Sequence, residues 1–117
     1  MSYVFDVAGE TVWSPASRVG ALFVALSGVF AEYAGTPAGL HAEARDWYEI
    51  EPDVFARHVA ALLDGPGRNH PVYGLLAEGY LVTCVALATR AGVAVTPTPA
   101  FPDILAAAEE CQRRMPR

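Results

Sequence analysis

A lone acid inside an apolar stretch is the first place to look for chemistry. Between Val72 and Thr89 the only charged residue is Glu78. On a helix its neighbours are Gly74, Leu75, Leu81, Val82 and Val85. A carboxyl there would lose its water, which is how general acids and bases are tuned. His58, one turn from Val54 and Leu62, could shuttle protons, and Tyr48 could assist. Glu78 as acid/base with Tyr48 or His58 would suit a small cofactor-independent enzyme or ligand binder of secondary metabolism. Its apolar pocket would lie between a central helix and a sheet. The competing account pairs Glu78 with Arg18, Arg57 or a backbone donor, or sets it on the one wet stripe of the helix. It makes His58 a boundary residue with one hydrogen bond.

The second candidate is the stretch "RDWYEIEPDVF", residues 45–55. From His41 to Asp53 the chain holds Glu43, Asp46, Glu49, Glu51 and Asp53 against Arg45, a local charge of −4. Alternation in "DWYEIE" predicts a half-buried strand with Tyr48 and Ile50 inward and Trp47, Glu49 and Glu51 outward. Glu51 and Asp53 fall where Pro52 opens a helix, and carboxylates suit that end of the macrodipole. Asp46, Trp47 and Glu49 need another explanation. An aromatic rimmed by acids fits a protein interface better than a catalytic pair.

Other chemistries find little footing. Cys84 and Cys111 form no CxxC and no Cys–His spacing for a metal, so no metal and no cofactor is expected. They read as core thiols in a reducing cytoplasm. His41, His58 and His70 are scattered. Ser14 and Ser17 lack the context of a nucleophile elbow, and Gly28, Gly35 and Gly39 form no phosphate cradle. The chain carries a net −5, and its eight basic residues are all arginine. Without a basic patch, nucleic acid is not an expected partner. The N-terminus lacks the basic and apolar regions of a signal peptide. Residues 72–89 fall short of a membrane span and carry Glu78, Gly74 and Gly79, which argues against insertion.

The elements that would position these residues follow from pattern. "YVFDV" and "TVW" around Ala8-Gly9-Glu10 predict a hairpin with Tyr3, Phe5 and Val7 on one face. Ser14 and Pro15 supply a cap and first residue for a helix to about Ala34, with Val19, Leu22, Phe23, Leu26, Phe30 and Tyr33 at helical spacing. Gly35, Thr36, Pro37 and Gly39 break it, leaving His41 in a loop. A helix opened by Pro52 buries Phe55, Val59 and Leu62, and Asp64-Gly65-Pro66-Gly67 ends it. Residues 71–91, nearly free of charge, predict a central helix buried on almost all sides and stopped by Gly92. "VAV" at 93–95 suggests a short strand, and Pro102 opens a last helix carrying Cys111 and Met115.

The order of these pieces is similar to a known family. A hairpin of the form F-V-G-x-T-x-W-x-P-S, a YEIEP-x-x-F segment and an H-x-V-x-x-L-x-E-G segment follow one another. The matching residues are Phe5, Val7, Trp13, Pro15, Tyr48, Glu49, Ile50, Phe55, His70, Leu76, Glu78 and Gly79. The chain thus resembles a family of short actinobacterial proteins known as a domain of unknown function, over most of residues 1–92. It departs where the family's basic run before the third helix would stand, with "DGPGRN" instead. The resemblance implies a bacterial, cytosolic origin and a shared fold. It carries no activity.

The expected structure is one α+β domain over residues 1–117. A small antiparallel sheet, the N-terminal hairpin plus residues 46–51, packs on three to four helices with 71–91 central. The preferred function is a cytoplasmic interaction or accessory protein, of the immunity-protein kind. It would dock on a basic partner through Asp46, Trp47, Glu49 and Glu51. Leftover apolar surface in so small a chain also points to a homodimer. The competing expectation is the enzyme or binder of a small apolar ligand, built on Glu78.

Overall fold

The computed structural model describes residues 1–65 and 70–117. Its strands are β1 (Val4–Val7), β2 (Glu10–Trp13), β3 (Leu40–Ala44) and β4 (Trp47–Ile50). Its helices are α1 (Ser17–Ala34), α2 (Pro52–Asp64), α3 (Pro71–Arg90) and α4 (Ile104–Gln112). The fold is α+β. Two hairpins, β1–β2 and β3–β4, join into one sheet of order β2-β1-β4-β3.

Each hairpin is antiparallel, but β1 and β4 run parallel, with Val4 beside Trp47 and Asp6 beside Glu49. The sheet is therefore mixed rather than antiparallel throughout. The crossover explains why. The chain leaves β2, runs the length of α1 and returns through β3, so β4 reaches β1 in the same direction. Strand β3 was expected to be loop. Its "LHAEA" lacks the β-branched and aromatic residues that mark strands, and four of its five residues are exposed. It forms because β4 offers it an edge to pair with.

The first turn places Ala8 (φ 50°) and Gly9 (φ 81°) in the left-handed region that two-residue hairpin turns require. In β2 the register slips between Phe5 and Asp6, so Val12 is an extra residue. The bulge lets Val12 and Trp13, adjacent in sequence, both turn inward and bury.

α1 begins at Ser17 rather than Pro15, and Ser14 does not cap it. Residues 14–16 are held extended: Ser2 bridges Ala16, Tyr3 N–H reaches the Pro15 carbonyl at 2.9 Å, and the Ser14 hydroxyl donates to the Tyr3 carbonyl at 3.1 Å. The helix then lies close on Tyr3. A Cβ at Gly20 would fall 2.4 Å from Tyr3 Cγ, an atom near the root of its side chain that cannot swing aside. Gly20, Phe23 and Ser27 face the core. Val19, Leu22, Val29 and Tyr33 face out.

α2 runs from Pro52 and ends where Gly65 departs; Pro66 and Gly67 lie outside the described residues. α3 starts on His70, whose Nδ1 accepts the Val72 N–H at 3.2 Å, and it stops where Gly92 takes φ 80°. Its C-terminal half is the centre of the core, with Leu81 and Cys84 to Ala88 buried. The expectation of burial along its whole length fails at the other end, where Val72, Leu75 and Leu76 are exposed. Residues 93–95 form no strand. They pack instead as a covering segment, with Val93 and Val95 against the core.

Arg90, at the end of α3, fastens three elements. Its guanidinium donates to the carbonyls of Val12 (2.7 Å), Gln112 (2.8 Å) and Met115 (2.9 Å). Two of these carbonyls lie in and just beyond the last turn of α4, where carbonyls lack helical partners. Burial lowers the pKa of Arg90, and neutral carbonyls rather than a carboxylate receive its protons. Arg90→Ala would strand these acceptors and should cost about 1.5–3 kcal/mol. Urea denaturation should show a lower midpoint with an unchanged slope.

Candidate functional site

The residues expected to act together do not meet. Glu78 is exposed, on the side of α3 turned away from the buried Ala77 and Tyr80. It stands on the wall of a groove of about 390 Å³ between α3 and the segment leading into α4, with His70, Phe101, Asp103 and Ile104. Among the described residues Glu78 makes no ion pair, so neither Arg18 nor Arg57 reaches it. Of its apolar helical neighbours, Leu75 faces solvent beside it, whereas Leu81 and Val85 are buried in the core. Tyr48 lines a different groove, of about 410 Å³, between α1 and the 37–41 segment. Its ring stacks on Tyr3 and Phe5.

His58 is wholly enclosed. Its Nε2 lies 2.8 Å from the Tyr80 hydroxyl, which donates to Ser27 Oγ at 2.9 Å. Nε2 meets the Tyr80 hydroxyl, and Nδ1 is left without a hydrogen-bond partner among the described residues. The chain Ser27–Tyr80–His58 links α1, α3 and α2 through the core. Burial drives the His58 pKa down to about 4 and raises that of Tyr80. Cys84, also buried, has its thiol pushed up by burial. All of these groups are held neutral at pH 7, which suits structure rather than proton transfer.

The acidic hairpin differs in kind. β3 is a sheet edge, and its register with β4 slips between Ala42 and Ala44. A bulge and charged residues are the usual guards of an exposed edge. Tyr48 and Ile50 point inward as predicted, while Trp47 is 45% exposed. The Trp47 indole is nevertheless fixed: its Nε1–H donates to Asp6 Oδ2 at 2.8 Å, and Thr11 Oγ1 donates to Asp6 Oδ1 at 2.8 Å. Asp6 is buried, and nothing in its sequence context marked it. Its register beside Glu49 in the parallel pair is what brings it to Trp47. Asp46 and Glu49 are partly exposed around the indole, and exposed Glu51 lies 3.9 Å from His41. Glu51 is the N-cap position of α2, with Asp53 in its first turn.

The chain is a member of DUF6086, a family of unknown function whose pattern matches residues 1–117. No curated protein and no solved structure matches it. Among the described residues no group of three or more His, Cys, Asp or Glu side chains could hold a metal ion. α3 is long and apolar enough to cross a membrane by length and composition, with a mean hydropathy of 1.5; half of that stretch is buried within the fold.

Two outcomes follow. Glu78→Gln should change stability by less than about 0.5 kcal/mol, the range of exposed positions, as read by thermal melting at pH 7. His58 gives a pH dependence with a definite sign. Its folded pKa of about 4 lies below the ordinary 6.5, so the unfolded chain binds the proton first. Stability therefore falls as pH drops from about 6.5 toward 4, by at most about 3 kcal/mol from this residue. The acid-induced loss should be smaller in His58→Gln than in the parent, as measured by melting temperature at pH 7 and pH 4.5.

Proposed function

We propose that this is a non-enzymatic interaction or accessory protein, of the immunity-protein kind, that docks through the β3–β4 hairpin on a partner with a basic surface. The observation that carries the reading is Trp47. An exposed indole normally pays an ordering cost on binding. Here a buried carboxylate already holds it in one orientation, and Asp46, Glu49 and Glu51 follow closely along the same hairpin and its exit. A rigid aromatic anchor within a charged rim is the arrangement of interface hot spots. The acids would speed encounter with a basic surface and the indole would supply the contact area. The location we infer is a reducing cytoplasm, in keeping with the free thiols of Cys84 and Cys111.

A second reading rests on the groove beside Glu78, whose size suits a small ligand. Phe101 and Ile104 give it an apolar surface, and Glu78, His70 and Asp103 supply polar groups. Tyr48 and His58 have no part in it. It is weaker than the first because these polar groups converge on no shared hydrogen bond.

The first reading is tested by capture from a lysate of the source organism at low and high salt. The parent should retain a protein with a basic surface and release it as salt rises. Asp46, Glu49 and Glu51 changed together to Ala should abolish capture, and Trp47→Ala should weaken it by about 30-fold or more. Undiminished capture by both folded variants would refute the reading.

A further inference from the structure

The outer face of α1 carries a run of exposed apolar side chains. Val19, Leu22, Leu26, Val29 and Tyr33 follow one another at spacings of three and four residues, the a and d positions of a heptad. Leu22 is 59% and Val29 63% exposed, and Tyr33 stacks on Tyr73 of α3. A groove of about 630 Å³ joins this stripe to Leu75 and Leu76 of α3, which are 76% and 74% exposed. A contiguous run of exposed large apolar side chains of this kind marks an interaction surface.

We infer that a second copy of this chain covers this face, the two α1 helices packing antiparallel about a two-fold axis while Leu75 and Leu76 close over their flank. Charge chooses the occupant and the direction. The helix carries only Arg18 and Glu32 among its residues, both exposed and both at the g position that borders the stripe. In an antiparallel pair g borders g, so Arg18 of each copy meets Glu32 of the other, and Val19 layers with Val29 and Leu22 with Leu26. In a parallel pair g would border the e positions, Phe23 and Phe30, which are turned into the protein's own core. The stripe is thus complementary to itself in one orientation only. A strongly charged partner finds no complement here, since the acids gather on the β3–β4 hairpin. The inference does not depend on the docking role of that hairpin.

Analytical ultracentrifugation of the full chain over a dilution series tests it. The parent should sediment at twice its 12.5 kDa mass. Leu22→Glu should raise the dissociation constant by about 100-fold or more. Because Leu22 is exposed, the variant should keep the parent's far-ultraviolet spectrum and a cooperative melting transition, at a temperature lowered by the lost association. Arg18→Glu and Glu32→Arg should each weaken the dimer several-fold, and the double exchange should restore it. The variant with Asp46, Glu49 and Glu51 changed to Ala should remain dimeric, which keeps this outcome separate from that of the docking test. A parent monomeric throughout overturns the inference, and so does a lipid-sized adduct filling the groove in native mass spectrometry. A Leu22→Glu dimer as tight as the parent would show that another face pairs. Failure of the double exchange to restore affinity would overturn the antiparallel arrangement.

Discussion

The Tyr80 hydroxyl is the point on which the packing turns. It stands where α1, α2 and α3 converge, and side chains from two other helices both meet it. A buried hydroxyl needs partners, and Ser27 and His58 supply them from the two other helices. The ring beneath it is clasped by Phe30 at 4.7 Å and Phe23 at 5.5 Å. Aliphatic packing alone leaves helices free to slide by small amounts. Directional bonds to this one atom fix the depth at which each helix meets the others. The unpartnered Nδ1 of His58 is the residual cost of that arrangement.

Much of the architecture was legible because it is local. The first hairpin, the start of α2 at Pro52, the inward set of Phe55, Val59 and Leu62, and the stop at Gly92 each follow from residues adjacent in sequence. What escaped prediction depends on partners far away. β3 has no strand propensity and exists through pairing with β4. The parallel joint of β1 and β4 is a matter of crossover, which no window of sequence encodes. Ser14 looks like a cap and is used instead to fasten Tyr3. On α3 the nearly charge-free run predicts burial on almost all sides, although a helix in so small a chain has two sides and too little protein to cover both along its whole length.

The candidate sites divide along the same line. The orientation of Trp47, Tyr48 and Ile50 came from strict alternation and is as predicted. Asp6, which immobilises Trp47, was invisible because its neighbour lies 41 positions along the chain. Glu78 was expected in an apolar setting on the strength of its helical neighbours. Leu81 and Val85 are buried, but Glu78 and Leu75 beside them are exposed, so apolar neighbours in sequence did not mean a dry carboxylate. His58 was read as a boundary residue or a proton shuttle, and it is a fully enclosed link between helices.

The parallel pairing of β1 with β4 also governs how the chain reaches this state. Either hairpin can close on its own within a few residues. Their union brings Val4 beside Trp47 and so encloses α1 and β3 in a loop, whose closure entropy is of order 3 kcal/mol. That cost is offset by the pairing of β1 with β4 itself and by the burial of Phe5 and Ile50 that accompanies it. The fixed indole of Trp47 thus hangs on a non-local seam, because its partner Asp6 stands on β1 and Trp47 itself on β4.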